Sequence, residues 1–229
     1  MSTAINQRRT DSGRALHRGR SPKQRTLITS KARPNREEIP PASELKDTIA
    51  IRQARSAEIP ALRDMQERSL RLLGAAFYAP RQIAAFLTEV GTMDEAVVDE
   101  GHYFVAANAD GAILASGGWS RQTPGYERAV IGSAGARNGA GGAIIRSVFV
   151  EPALARRGLA TAIMTKVEQD ADANRVGTLS MMATLSGLAF YARLGYQTNG
   201  EKMVVLAGGL RFPFMSMSKS LVHGALAAS

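Results

Sequence analysis

The segment from residue 144 to residue 161 constrains the fold more than any other part of the sequence. It consists of the run IIRSVFV, which is apolar except for Arg146 and Ser147, then Pro152, which ends that run, and a second stretch that begins at Arg157 and Gly158. The apolar run predicts a buried strand and the second stretch a helix, with no Ser, Thr, Asp or Asn in place as its cap. The first amides of a helix lack partners and carry partial positive charge, and here they adjoin a glycine and two arginines. The segment therefore predicts a site for a phosphate group.

The composition excludes several kinds of site. The chain has 229 residues, 45% of them hydrophobic, which is enough for one good-sized core or two small ones. Without cysteine it has no disulfide framework, no Cys-ligated zinc and no thiolate nucleophile. His17, His102 and His223 are far apart and form no metal-spaced pair, so we expect no metal. No apolar run approaches the roughly 20 residues that span a bilayer, and nothing suggests export, so we expect a cytoplasmic protein with no membrane partner.

The positive charge of the chain lies in one N-terminal segment. The formal net charge is +9, and residues 1–36 hold ten of the 29 Lys and Arg against a single acidic residue, Asp11. The rest of the chain is therefore neutral. Because this segment is rich in Arg, Ser and Gly and poor in apolar residues, we expect a disordered tail over residues 1–46. One domain is expected over residues 47–221, and a short C-terminal tail over residues 222–229.

Three interpretations of the basic tail stay open. It is a solvated extension or an over-long translated start, or an arm that contacts RNA, DNA or an acidic surface. Dispersed arginines without interleaved aromatic residues give such an arm only non-specific affinity for phosphates. The third interpretation is a cleaved targeting peptide, which the Arg- and Ser-rich, acid-poor composition allows.

After the tail, hydrophobic periodicity and turn signals predict a single alternating domain. Ser56 is expected to cap the first helix, and Gly and Pro predict a long loop over Gln122–Gly142. The predicted order is strand, helix, helix, three strands, helix, strand, helix and two strands. The strands are expected near 48–54, 103–107, 112–120, 144–150, 178–183, 204–206 and 212–219, and the helices near 56–73, 80–90, 158–173 and 186–194.

Two motifs on these elements resemble those of the GNAT superfamily of N-acetyltransferases. VFVEPALARRGLA, residues 148–160, is similar to the family's acetyl-CoA signature, a strand followed by [Gln/Arg]-x-x-Gly-x-[Gly/Ala]. AFYARLGY, residues 189–196, is similar to the later Tyr-x-x-x-Gly-[Phe/Tyr] segment, about 35 residues further on. The resemblance covers roughly residues 48–219. It implies an α/β (α+β) fold with a mixed, mostly antiparallel central sheet, flanked by helices and splayed at the central strand.

The same resemblance implies acetyl-CoA as co-substrate. The amides from Arg157 to Thr161 are expected to hold its pyrophosphate, and the edge of the central strand its pantetheine arm. Ser186 stands where relatives often carry an Asn that contacts this arm, although a plain helix cap explains it equally well. The first signature position holds Ala155 instead of Gln or Arg, so Arg156 or Arg157 would have to supply that contact. The implied cofactor-binding residues are Val148, Val150, Arg156, Arg157, Gly158, Ala160, Thr161 and Ser186.

The implied reaction is direct transfer of the acetyl group to a primary amine. Resemblance assigns Tyr191 as the acid that protonates the leaving thiolate, which is chemically reasonable because a phenol has a pKa of about 10 and a thiol about 8.5. The backbone amide of Val148, or a neighbour, is the implied donor to the oxyanion. No base is identified, since Arg146 and Ser147 stand where some relatives place a carboxylate. A water chain, Glu127, Tyr126 and His102 stay open, and Glu151 is expected to be a solvated turn residue.

The acceptor is the least defined partner. Tyr78, Trp119, Arg121 and Tyr126 are candidates to line its pocket, and a small-molecule or peptide amine would fit the chemistry. A homodimer is compatible with the sequence. Two alternatives to the simple enzyme stay open: an acyl-CoA-binding module without catalysis, which the presence of Tyr191 argues against, and a nucleic-acid-associated acetyltransferase that uses the basic tail.

Overall fold

The computed structural model describes residues 49–123 and 141–221. Seven strands form one sheet, and helices pack on its faces. The strands are β1 Ala50–Gln53, β2 Tyr103–Ala107, β3 Ile113–Ser120, β4 Gly142–Val150, β5 Thr178–Thr184, β6 Gln197–Val205 and β7 Arg211–Ser220. The α-helices are α1 Ile59–Leu73, α2 Pro80–Glu89, α3 Ala96–Asp99, α4 Leu159–Ala173 and α5 Leu188–Arg193, with short 3₁₀ turns at Ser56–Glu58, Pro152–Leu154, Leu185–Gly187 and Ala207–Gly209.

The sheet is mixed and mostly antiparallel, as predicted. The strand order is β1-β2-β3-β4-β5-β7-β6, and β4 with β5 is the only parallel pair in the described part of the chain. The crossover between these two parallel strands is α4. The predicted order of elements is confirmed, with the four-residue helix α3 as an addition.

The two faces of the sheet carry separate groups of core side chains. Phe104 of β2 belongs to the cluster that includes Ile163 and Val167 of α4. Its neighbour Tyr103 belongs to the cluster that includes Leu62 and Met65 of α1. Side chains alternate between the faces of a strand, and every residue of β2 and β3 is buried because both faces are covered. The central strands are thus held from both sides.

Several predicted details differ from the structure. β6 is nine residues long and begins at Gln197, whereas the sequence predicted a strand only from residue 204. Ser56 does not cap α1; its hydroxyl donates to the carboxylate of Asp99 at 2.8 Å, and the residue before α1 is Glu58. The predicted tails and residues 124–140 of the predicted loop lie outside the described residues. No helix within residues 49–123 and 141–221 is long and apolar enough to cross a membrane.

Candidate active site

The central feature of the site is the point at which β4 and β5 part. Their parallel pairing runs only from Gly142 opposite Thr178 to Ile144 opposite Ser180. Beyond that point β4 continues to Val150 and β5 to Thr184 without pairing to each other. Ser147, with a φ of +45°, stands at an irregularity in the pairing of β4 with β3. The predicted splay is therefore present, and it opens a gap in the middle of the sheet.

A groove of about 850 Å³ runs from this gap to the N-terminus of α4. Its walls come from β4, the turn before α4, the Leu185–Gly187 turn and α5. Arg157 is not among the described residues that line the groove. The other eight residues that the sequence assigned to the site do line it: Val148, Val150, Arg156, Gly158, Ala160, Thr161, Ser186 and Tyr191.

The end of the groove next to α4 is built on Gly158. This residue precedes α4 with a φ of +89°, and no side chain caps the helix. The first intrahelical bond runs from the amide of Ala162 to the carbonyl of Gly158 at 3.0 Å, which leaves the amides before Ala162 without an intrahelical partner. A Cβ at Gly158 would meet nothing within 4 Å. The space beside these amides is thus open, as a bound phosphate requires.

Tyr191 lies on α5, where the groove meets the gap between the strands. It is 8% exposed, and burial raises the pKa of its hydroxyl above the ordinary value for a phenol. Its ring packs edge-on against Tyr196 at a centroid distance of 6.0 Å. A Cβ at Gly187 would lie 2.8 Å from Cε2 of Tyr191. The tyrosine is held between these neighbours as a neutral, partly enclosed phenol.

Tyr196, which packs against Tyr191, is held by its own hydrogen bond. The hydroxyl of Tyr196 donates to Glu168 at 3.0 Å, and Lys219 pairs with the same carboxylate at 2.7 Å. Burial and the charge of Glu168 raise the pKa of Tyr196. Tyr196 therefore has a role in packing, and its hydroxyl is already committed to Glu168.

A second cavity of about 280 Å³ adjoins the groove. It extends from the strand gap toward the segment between α2 and α3, and its lining is largely apolar. Arg146 and Asp94 are the charged side chains among the described residues that line it. The residues that line both spaces are Leu70, Val148, Phe149, Thr184 and Tyr191.

Three of the four candidates for the acceptor pocket lie away from both spaces. Tyr78, Trp119 and Arg121 line neither the groove nor the second cavity, and Tyr126 lies outside the described residues. Trp119 is buried, and its Nε1 donates to Asp170 at 2.9 Å. Arg121 donates to the carbonyl of Asn174 at 2.9 Å. Both side chains hold the far end of α4 against the sheet.

His102, which the sequence left open as a base, has other partners. Nδ1 of His102 lies 2.7 Å from Asp170, and its ring stacks on Trp119 at a centroid distance of 4.0 Å. Glu151, as expected for a turn residue, accepts a hydrogen bond from Arg68 at 2.8 Å. Glu127 and Tyr126 lie outside the part of the chain that the structure describes.

Tyr78 has a structural role next to the site. Its hydroxyl donates to the carbonyl of Pro213 at 2.9 Å and accepts from the amide of Leu185 at 2.8 Å. It thereby fixes the turn that carries Ser186 and Gly187. Because its hydroxyl makes two hydrogen bonds to the backbone and its side chain is buried, Tyr78 is not available to an acceptor.

Replacing Tyr78 by phenylalanine is expected to lower the free energy of unfolding by about 1 to 3 kcal/mol, because two backbone groups lose a buried partner. Urea unfolding measures this change. Phe77, which is 51% exposed, provides a control: Phe77→Leu is expected to change stability by less than about 0.5 kcal/mol. Equal stability of Tyr78→Phe and the wild type would contradict the anchoring role.

The sequence missed the residues whose roles depend on tertiary contact. In the sequence, Gly187 is only a glycine beside Ser186. The sequence does not indicate which atoms a side chain added at this position would contact. Asp94 lies in a segment that carries no motif, and its carboxylate accepts from the amide of Ala96 at 3.3 Å. Ser186 is not a helix cap; its hydroxyl lies 3.1 Å from that of Thr184. Within residues 49–123 and 141–221, no group of three His, Asp or Glu side chains could hold a metal ion.

Comparison with known proteins agrees with this geometry. Residues 125–220 match the family model described as an acetyltransferase (GNAT) domain. No curated protein sequence matches the chain significantly.

Three solved structures illustrate the likeness in fold. A GCN5-related N-acetyltransferase from Rhodopseudomonas palustris is 19% identical, with a TM-score of 0.56 over 76% of this chain and 96% of that one. The PaiA N-acetyltransferase from Thermoplasma acidophilum, in complex with coenzyme A, is 13% identical, with a TM-score of 0.53 over 76% and 99%. A phosphinothricin acetyltransferase from Sinorhizobium meliloti, in complex with acetyl-CoA, is 18% identical, with a TM-score of 0.52 over 78% and 91%. At these identities the likeness concerns the fold alone.

Proposed function

We propose that the chain is an acyltransferase of the GNAT superfamily, which transfers the acetyl group of acetyl-CoA to a primary amine by direct attack. One observation carries this proposal. The long groove and the second cavity meet in the gap between β4 and β5, and Tyr191 lines both of them there. Such an arrangement lets a cofactor bind along the groove while an acceptor reaches the gap through the second cavity.

The groove fits acetyl-CoA along its length. The open space beside Gly158 and the uncapped amides of α4 suit a pyrophosphate, and Arg156 lines the groove there. The segment of β4 beyond Ile144 has backbone groups that β5 does not use, so Val148 and Val150 can pair with the amides of a pantetheine arm. Ala155 contributes no charge, and the positive residue nearest to it in the groove lining is Arg156.

The residues of the chain have simple tasks in this reaction. Acetyl-CoA supplies an acetyl thioester, and attack by the amine forms the C–N bond while the C–S bond breaks. The amide of Val148, or a neighbour in the gap, donates to the carbonyl oxygen as negative charge develops there. Tyr191 passes its proton to the departing thiolate. The amine releases its proton to solvent and Tyr191 regains one from solvent, so the products are an N-acetyl amine and free CoA, and the tyrosine is again a neutral phenol.

Calorimetric titration of acetyl-CoA and desulfo-CoA into the full chain tests the cofactor assignment. Both ligands are expected to bind in the micromolar range, because the groove contacts the nucleotide and pantetheine parts that they share. Failure of both to bind would contradict the proposal.

Gly158→Val is expected to weaken binding of acetyl-CoA by about tenfold or more. A side chain in the open space would keep the pyrophosphate from the amides of α4, and charge-assisted bonds of this kind are each worth roughly 1.5 to 3 kcal/mol. The titration compares this variant with Gly111→Val. Gly111 has a φ of +82°, close to the +89° of Gly158, and also has open space around it, but it lies in the turn between β2 and β3. Equal losses in both variants would point to backbone strain rather than to a blocked phosphate site.

A further inference from the structure

Arg146 is a buried cation without a counter-ion among the described residues. It is 6% exposed and lies on β4, two residues beyond the end of the pairing with β5. Its Nη2 donates to the carbonyl of Gln122 at 2.9 Å, and its Nε is buried without a hydrogen-bond partner. A guanidinium has five donor hydrogens and does not become neutral by losing a proton. Within the described residues, the fold therefore keeps a positive charge inside the protein with no counter-ion and with one buried donor, Nε, that has no acceptor.

An unpaired buried charge has a substantial desolvation cost, so proteins usually supply a partner for it. Here the space beside the charge is the second cavity, which Arg146 lines. Asp94 is the carboxylate that lines the same cavity within the described ranges, and it is exposed and makes no ion pair with Arg146. The missing anion is thus expected to come from a ligand in the cavity.

The place of Arg146 relative to Tyr191 limits what that ligand is. Val148 lines both spaces at the strand gap, and Arg146 is two residues before it. Arg146 and Val148 thus line the same small cavity. One small molecule can therefore place an amine at the gap and an anionic group at Arg146. The cavity volume of about 280 Å³ suits a small molecule that carries both groups.

We propose that the acceptor carries a carboxylate that pairs with Arg146, so that the acceptor class is a free amino acid or a close analogue. A planar carboxylate matches the forked donors of a guanidinium. The apolar walls, among them Phe86, Met181 and Phe214, suit an apolar side chain on that amino acid. A lysine side chain within a protein, or the N-terminus of a long peptide, has no free carboxylate next to its amine. The inference rests on the proposed acetyl transfer for the role of the amine.

The test compares acids with their amides as acceptors. Leucine and leucinamide, and phenylalanine and phenylalaninamide, share the side chain and differ in the negative charge. Because the amide also has a lower amine pKa, kcat/KM is expressed per unprotonated amine. For the wild type, kcat/KM from thiol release is expected to be about 10²-fold higher for the acid of each pair, the worth of a hydrogen-bonded charge. In Arg146→Met this ratio is expected to fall close to one, mainly through KM. Arg146→Lys keeps the positive charge but lacks the paired donors of a guanidinium. It should therefore retain part of the preference for the acid over the amide.

Controls separate recognition from structure. Asp94→Asn changes the other charge of the cavity and should keep the preference for the acids. Arg146→Met should bind acetyl-CoA as the wild type does, and its urea midpoint should not fall, because an unpaired buried charge has been removed. A fall in the midpoint with equal loss of activity toward acids and amides would assign Arg146 a structural role and overturn the proposal. An equal fall in kcat for acids and amides would indicate that Arg146 acts on the reacting oxygen, and this result would also overturn the proposal.

The proposal also has a readout that needs no turnover. Leucine is titrated calorimetrically into the complex with desulfo-CoA, and leucinamide is titrated in the same way. Tighter binding of leucine, lost in Arg146→Met, supports the carboxylate site even if no thiol is released, in which case only the proposed acetyl transfer fails. Equal binding of the two, or no binding of either, overturns the inference while leaving the acetyl-CoA titration as the separate test of the proposed function.

Discussion

Replacing Tyr191 by phenylalanine is expected to lower kcat by about 10²-fold, the low end of the range for a general acid. The change removes the hydroxyl that would protonate the thiolate and leaves the ring in its packing against Tyr196. Because the ring still lines the groove, the affinity for acetyl-CoA should be unchanged. Steady-state thiol release measures kcat, and calorimetric titration of acetyl-CoA measures the affinity.

The pH dependence of kcat in the wild type and in Tyr191→Phe provides a second check. Burial raises the pKa of Tyr191, so the phenol stays protonated throughout the neutral range and up to at least about pH 10, the ordinary value for tyrosine. The ratio of the wild-type kcat to that of Tyr191→Phe should therefore be constant from neutral pH to about pH 9. A ratio that declined with rising pH in this range would indicate that an ionised tyrosine, rather than a proton donor, is involved.

Tyr196→Phe is the matched control. It makes the same chemical change five residues later, at a hydroxyl that bonds Glu168 instead of facing the groove. Its kcat should stay within about threefold of the wild type, while its free energy of unfolding should fall by about 1 to 3 kcal/mol. Wild-type turnover in Tyr191→Phe would remove Tyr191 from the reaction.

The parts of the site that the sequence predicted are those fixed by local pattern. The strand, proline and helix over residues 144–161 form a continuous local unit, and the groove follows from that unit together with the segment around Tyr191. In such segments, periodicity and caps act over a few residues, so the chain order alone places them. Eight of the nine named site residues therefore line one groove.

The parts that the sequence did not predict depend on distant contacts or on weak patterns. Tyr78 and Trp119 were plausible as pocket residues until their partners were known, and those partners are 107 and 51 residues away in sequence. The first five residues of β6 are exposed, so they show no apolar alternation. The four residues of α3 are too few for a helical period. Arg146 was visible as a charge within a buried strand, but only the splay explains why it has a cavity beside it.

Gly187→Ala is expected to lower kcat by up to about 10²-fold without removing any group that takes part in the chemistry. The added methyl would lie 2.8 Å from Cε2 and 3.3 Å from Cδ2 of Tyr191, closer than a Cβ approaches an aromatic carbon. Gly187 has a φ of −91°, which alanine adopts freely, so the cost falls on the neighbouring ring and not on the backbone. A displacement of about 1 Å at a catalytic group can reduce turnover by 10²-fold.

The ring of Tyr191 has little space into which it could move. Phe190 and Tyr196 contact it, with ring centroids 5.0 and 6.0 Å away, so a shift moves the hydroxyl relative to the gap between β4 and β5. Steady-state thiol release at saturating acetyl-CoA measures the effect. Gly177→Ala is the control, because Gly177 has an ordinary φ and no atom within 4 Å of the added methyl, and it should leave kcat unchanged.

Combining the two changes tests whether they act through the same group. If the methyl acts by displacing the hydroxyl of Tyr191, Gly187→Ala should have little further effect once that hydroxyl is absent. The double variant Gly187→Ala with Tyr191→Phe should then resemble Tyr191→Phe alone, and not show the product of the two single losses. Fully multiplicative losses would mean that Gly187 influences the reaction by another route, such as the placement of Ser186 in the groove, and that the position of the Tyr191 hydroxyl does not limit the rate.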